Sequence, residues 1–211
     1  PADVAAVSLD AATHTAVLCD ADYRPLRPAI YWTDTRSTAE VAELRAALGA
    51  RIPALTYHEI DTIWTLPQLL WVRRHAPQVF SAARHILFAK DYVRHRLTGD
   101  GVTDCIEAEG SMLFGMAAGA WSAELCDAIG LDMAVLPAVV RPTDIVGTVL
   151  PDAARDTGLC AGTPVLCGTT DTVMEVFAAG GVHRGNMTVK LATAGRICVI
   201  TEKPFPDRNL V

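Results

Sequence analysis

Apolar positions along the chain follow two rhythms, short branched runs and longer stretches spaced three and four apart. Residues 4–9 and Ala16–Cys19 predict two strands, with a turn at Asp20-Ala21-Asp22 and a third strand near residues 29–32. Ser37-Thr38-Ala39-Glu40 has capping-box spacing and opens a helix with Val41, Leu44 and Leu48 on one side and Gly49 as its stop. Residues 51–61 show no clear period and read as a loop. A second helix starts at Thr65, with Pro67 tolerated in its first turn, and Pro77 opens another short helical piece. Ile86-Leu87-Phe88 is a brief strand or the lead into a helix over residues 90–97, closed by Thr98-Gly99-Asp100-Gly101. Residues 107–114 and 121–129 predict helices, residues 136–149 a Pro-rich, strand-like connection over the surface, and Pro151–Thr157 a short helix. Strands alternate with helices, and no repeat or internal boundary is visible, so one α/β domain is expected over residues 1–211.

The most informative stretch is residues 163–177. Thr163-Pro164-Val165-Leu166-Cys167 suits a buried strand, and Val173, Met174, Val176, Phe177 and Gly180 recur at helical spacing. Gly168-Thr169-Thr170-Asp171 is then a strand-to-helix turn, with Asp171 in the first helical turn among outward-pointing N–H groups. Open α/β sheets bind ligands beyond the carboxyl ends of their strands, at turns of this kind. Capping of the helix is the alternative role for Asp171. Beyond Gly180-Gly181, two short strand-like runs form a hairpin around Ala192-Thr193-Ala194-Gly195.

Composition narrows the function. The 211 residues are 51% hydrophobic and 20% charged, enough to bury a real core. A net charge of −6 argues against nucleic acid or an anionic membrane surface as partner. With no long apolar run and no signal segment, the protein reads as soluble and cytoplasmic. Six scattered cysteines without a C-x-x-C pair predict buried free thiols rather than disulfides, and the histidines form no zinc-ligand spacing. The chain opens at Pro1 and stops after a turn-rich Pro204-Phe205-Pro206-Asp207, which reads as a piece of a longer protein.

Five local sequences in order resemble the FGGY carbohydrate kinases, most closely their xylulokinase-like branch. Pro28-Ala29-Ile30-Tyr31-Trp32-Thr33-Asp34-Thr35-Arg36 is similar to the family's apolar-W-x-D-x-R segment, and Pro67-Gln68-Leu69-Leu70-Trp71-Val72 to P-K-L-L-W, with Gln68 in place of Lys. Lys90-Asp91-Tyr92-Val93-Arg94-His95-Arg96-Leu97-Thr98-Gly99 is similar to K-D-Y-L-x-x-R-L-T-G. Thr103-Asp104 with residues 107–113 follows where the family has D-x-x-x-A-x-x-T-x-L, and Gly168-Thr169-Thr170-Asp171 matches G-x-x-D.

The resemblance implies a partial ribonuclease-H-like (actin-like ATPase) domain with a mixed sheet flanked by helices, the incomplete N-terminal sugar-binding lobe of a two-lobe kinase. It implies ATP-dependent phosphorylation of a sugar hydroxyl, a ketopentose such as xylulose, by the full-length parent, with Mg2+ as metal and the isolated chain inactive. Asp171 is then the catalytic base, facing Mg-ATP. His14 falls at the His of the family's Q-M-H-G loop, so Thr13 and His14 are expected at the sugar, although Ala12, Thr13 and Thr15 depart from the pattern. Trp32 and Trp64 stand where the family places aromatics near the sugar, with core packing as the alternative for both. Thr193 and Gly195 match the phosphate-binding turn, where Ala192 and Ala194 replace family residues. Asp34 and Arg36 pair with each other or anchor the following helix, with structure favoured over substrate contact for Arg36 and both left open for Asp34; Lys90, Asp91, Asp104 and Glu107 are expected to act in folding. The implied partners are a small-molecule sugar and ATP, with a homodimer of the parent. A non-catalytic actin-like module that binds a sugar or a protein is the competing reading, favoured by the two alanines.

Overall fold

The structure, a computed structural model, describes residues 1–191 and 195–204. In chain order the elements are β1 (Asp10–Ala11), β2 (Ala16–Cys19), α1 (Thr38–Leu48), α2 (Arg51–Thr56), α3 (Thr65–His75), α4 (Pro77–Ala82) and β3 (His85–Phe88). There follow α5 (Ala89–Thr98), β4 (Val102–Asp104), α6 (Cys105–Gly110), β5 (Phe114–Gly115), β6 (Ala120–Trp121), α7 (Ala123–Ala128) and a 3-10 turn at Met133–Val135. The chain continues through β7 (Ala138–Val140), β8 (Ile145–Thr148), α8 (Pro151–Thr157), β9 (Pro164–Leu166), β10 (Thr169–Thr170), α9 (Asp171–Ala178), β11 (Met187–Lys190) and β12 (Arg196–Val199).

Pairing is mixed, as expected. β1 runs parallel to β10 and β4 parallel to β7, whereas β2–β3, β5–β6, β8–β9 and β11–β12 are antiparallel; among the described residues each ladder holds two strands. The four apolar residues of β2 are all buried and register with β3 from Ala16–Phe88 to Cys19–His85. Around this pair the larger core gathers Leu44, Leu66, Leu69, Leu70, Ile86, Phe88 and Leu125. A smaller core of Val149, Ala153 and Val165 packs with Val7, Leu9 and Leu97 beneath the N-terminal stretch.

Several expectations need correction. The strand over residues 4–9 is reduced to a single parallel bridge, Val7 to Val165, before the ladder resumes at β1. The interruption lies at Gly168, whose φ of 73° brings its backbone so close to Leu9 that a Cβ there would sit 2.0 Å from the Leu9 carbonyl oxygen. No strand forms at residues 29–32, where Asp34 N–H closes a turn onto Tyr31 O. The loop expected after Arg51 begins as α2, since Pro53 sits in the first turn, where its missing N–H costs nothing. Ser37 occupies the N-cap of α1, but its side chain makes no cap bond, and Glu40 turns inward to Arg74 instead of closing a capping box. The helix expected over 107–114 is displaced to α6 because Asp104 caps it, accepting from the Ile106 and Glu107 N–H groups. The helix expected from Trp121 starts only at Ala123, capped by Ser122, while Trp121 pairs in β6. Cys19, Cys126 and Cys167 are buried free thiols as expected, but Cys160 is exposed. No helix among the described residues is long and apolar enough to cross a membrane.

Candidate active site

The register of one short ladder builds the site. Asp10 pairs with Thr169 and Ala11 with Thr170 in parallel, so both strands end together on one side. Ala12-Thr13-His14 continues from β1, and Asp171 continues from β10 as the first residue of α9. Two candidate residues far apart in sequence thus leave the carboxyl ends of neighbouring parallel strands, where α/β folds place ligands.

Asp171 is half-buried. Its Oδ1 accepts the Thr172 N–H at 2.7 Å and the Thr172 hydroxyl at 3.4 Å. One oxygen therefore satisfies an orphan donor of the helix N-terminus, while Oδ2 carries no hydrogen bond among the described residues. Helix capping thus occupies one oxygen of the carboxylate and leaves the other open among the described residues. Arg196, on β12, donates through Nη1 to Thr172 Oγ1 at 2.6 Å, which brings a guanidinium beside the carboxylate. Between α9 and the β11–β12 hairpin lies a cavity of about 260 Å³ lined by Thr172, Glu175, Lys190 and Arg196 among others.

His14 is held at φ 64°, a left-handed conformation. Thr13 Oγ1 and His14 N–H both donate to Glu107 Oε1, each at 3.0 Å, and Thr65 Oγ1 donates to His14 O. His14 Nδ1 faces the Gly110 carbonyl oxygen. A carbonyl can only accept, so Nδ1 carries the proton and Nε2 keeps its lone pair. Burial lowers the imidazole to about 4; the Gly110 bond and Asp171 oppose that shift, and the positive fields of His58 and Arg196 add to it. The ring is neutral at pH 7. Burial, with the Asp91 charge adding to it and Lys90 opposing, raises the Glu107 carboxyl to about 8.

Trp64 supports this group from behind. It is 4% exposed, meets His14 edge-on at 4.6 Å, and donates Nε1–H to Glu59 O. Burial leaves little of the indole open, which favours packing, the alternative weighed for Trp64, over direct sugar contact. His58 also packs on the indole, tilted, at 4.8 Å between ring centroids, its pKa lowered by burial. Trp32 is half-buried beside Tyr31, with ring centroids 5.8 Å apart. Asp34 and Arg36 pair with each other at 2.7 Å. Thr193 lies outside the described residues, and Gly195 is exposed just before β12.

Beneath the site runs a buried ionic group that includes Lys90, Asp91 and Asp104. Lys90 pairs with Asp104 at 2.7 Å and with Asp91, and Arg94 pairs with Asp91 at 2.9 Å and Asp100 at 2.8 Å. Burial works against the Lys90 charge, but attraction to Asp91 and Asp104 outweighs it and raises its pKa. Arg94 also donates to Cys167 O at 2.6 Å, and Thr169 Oγ1 donates to Asp104 Oδ1 at 3.0 Å. The group thus grips both sides of the turn that delivers Asp171. Glu107, Arg196 and His58 are the residues that sequence reasoning missed at the site.

Among the described residues no group of three or more His, Cys, Asp or Glu side chains is arranged to hold a metal ion. Asp171 alone does not make a magnesium site.

The chain is 33% identical over 205 residues to a xylulose kinase of Bacillus subtilis and 34% identical over 203 residues to one of Escherichia coli, covering 97% and 95% of this chain. Among solved structures, the xylulose kinase of Rhodospirillum rubrum superposes with a TM-score of 0.93 at 30% identity, over 96% of this chain and 42% of that one. A Brucella ovis kinase superposes at 0.84 with 34% identity, covering 92% of this chain and 40% of that one. The chain spans 41% of the length of both curated relatives. The α/β fold is that of these sugar kinases, the actin-like type expected from the resemblance. Residues 1–178 match the N-terminal domain of the FGGY family of carbohydrate kinases, and the chain belongs to that family.

Proposed function

We propose that this chain is the sugar-binding part of an ATP-dependent carbohydrate kinase acting on a ketopentose such as xylulose, with Asp171 as base. The carrying observation is the parallel register of β1 and β10, which sets the Thr13–His14 turn and Asp171 at adjacent strand ends. A sugar hydroxyl lying between them gives its proton to Oδ2 of Asp171 as its oxygen bonds to the γ-phosphorus of ATP. The bond from that phosphorus to the bridging oxygen breaks, and ADP leaves with the electron pair. Such transfers pass through a loose transition state, so positioning outweighs early proton abstraction. His14, neutral and with Nε2 as acceptor, takes a hydrogen bond from a second hydroxyl and orients the sugar. Arg196 puts positive charge near the entering phosphoryl group.

The competing reading, a non-catalytic binding module, draws on Ala192 and Ala194 in the phosphate turn. The two separate on the full-length parent, assayed for sugar-dependent ADP formation across a panel of ketoses and polyols. Asp171→Asn is expected to lower kcat at least 100-fold while sugar binding persists. Full turnover by that variant, or no sugar-dependent turnover by the unaltered parent, overturns the kinase reading. The isolated chain is expected to show no turnover.

A further inference from the structure

A histidine at φ 64° pays for a left-handed backbone, so something must hold it there. The holding groups are on α6. Glu107, 1% exposed, takes the Thr13 hydroxyl and the His14 N–H on the same oxygen. One turn further, Gly110 offers its carbonyl to His14 Nδ1, and a Cβ at Gly110 would lie 2.6 Å from Thr13 Oγ1 and 2.9 Å from the His14 ring. Position 110 must therefore lack a side chain for the turn to dock. α6 is itself fixed by Asp104, whose Oδ1 caps it.

We propose that Glu107 is a positioning residue of the sugar site, locking the Thr13–His14 turn against α6 so that His14 presents Nε2 as a hydrogen-bond acceptor and the site demands a hydroxyl donor there. This rests on the carbohydrate-kinase reading for its substrate, though not for its geometry. Glu107 touches no reacting atom; it acts through His14. An acceptor at Nε2 cannot bind a carbonyl or ether oxygen, so it discriminates among sugars by the position of their hydroxyl groups.

The test has two arms. In the full-length parent, Glu107→Ala is expected to raise the sugar KM at least tenfold with the ATP KM unchanged, and Glu107→Gln, which keeps an acceptor oxygen, to restore most of it. Among singly deoxy and deoxyfluoro ketopentoses, one position should lose equally with either replacement, because fluorine cannot donate, and His14→Ala should erase that loss. In this chain, nitrogen NMR of labelled histidine should show His14 protonated on Nδ1, with Glu107→Ala moving it toward the mixed tautomers of a free imidazole. An unchanged tautomer together with an unchanged sugar KM overturns the proposal. If Glu107→Ala fails to fold, the comparison of Glu107→Gln with Glu107→Asp, whose shorter arm cannot span the gap, decides it by the same two readouts. A tautomer change in a parent that has no sugar-dependent turnover upholds the positioning role and removes the kinase reading alone.

Discussion

Thr169 and Asp104 are 65 positions apart, yet the Thr169 hydroxyl donates to Asp104 Oδ1 at 3.0 Å with both side chains buried. That oxygen also accepts the Ile106 and Glu107 N–H groups, at 3.0 and 3.3 Å. The strand that ends at Asp171 and the helix that carries Glu107 are thus tied to the same atom. Movement of either would be felt by the Thr13–His14 turn and Asp171 together.

Thr169→Val keeps the shape of the side chain and deletes the donor. The variant is expected to lose about 1–3 kcal/mol of stability, read by urea denaturation of this chain, because a buried charged acceptor loses one of its bonds. In the full-length parent its kcat should fall several-fold, since Asp171 lies two residues beyond. Unchanged stability would show that the bond contributes nothing to the turn.

Gly168→Ala probes the neighbouring constraint. At φ 73°, with the Leu9 carbonyl oxygen 2.0 Å from a Cβ, the clash is with backbone and cannot be relieved by a rotamer. The expected outcome is a loss of more than about 3 kcal/mol, or failure to fold, measured by thermal melting. A melting temperature within a few degrees of the unaltered chain would mean that β1 and β10 are not pressed together as described.

Asp171 is legible in the sequence because a local pattern, branched run, glycine turn and helical period, points at one residue. His14 is legible only through a family motif, and its left-handed backbone leaves no sign in a stretch without glycine. Glu107 is illegible at either level. Its bond to Thr13 spans 94 positions, and a Glu in the first turn of a short helix reads as ordinary dipole-favoured placement. Trp64 shows the reverse case: an aromatic at a family position suggests a sugar platform, but only packing reveals that it is buried among neighbours that include His14 and His58. The strand missing at residues 29–32 fails for a similar reason, because an apolar run supplies propensity but no partner strand.

The depressed pKa of His14 makes stability depend on pH with a definite sign. Above about 6.5 both the folded and unfolded forms are neutral at this ring, and it adds no slope. As pH falls from 6.5 toward 4 the unfolded chain takes up a proton that the folded site refuses, so stability declines by about 3 kcal/mol before levelling off. Glu107 acts in the opposite sense. Its raised pKa gives stability that is full below 4.5 and lost as pH rises toward 8. The difference in unfolding free energy between the unaltered chain and His14→Gln, followed from pH 7 to pH 4, isolates the histidine. A flat difference would contradict a neutral, buried His14.

The β11–β12 hairpin places Met187 opposite Val199 and Val189 opposite Ile197, so these four side chains form cross-strand pairs. They stay open to solvent, Ile197 at 68% exposure and Met187 at 63%, with Phe177 of α9 similarly exposed at 62%. An uncovered apolar sheet surface of this kind drives association in water. The isolated chain is therefore expected to self-associate with rising concentration, seen by sedimentation or light scattering, even though its net charge of −6 opposes contact. Val189→Lys, which adds a charge in the middle of the surface without touching Asp171, should shift that association to at least tenfold higher concentration and leave the Tm nearly unchanged. If the Lys variant associates as readily as the unaltered chain, the contact lies elsewhere on the molecule and the hairpin surface is not its cause.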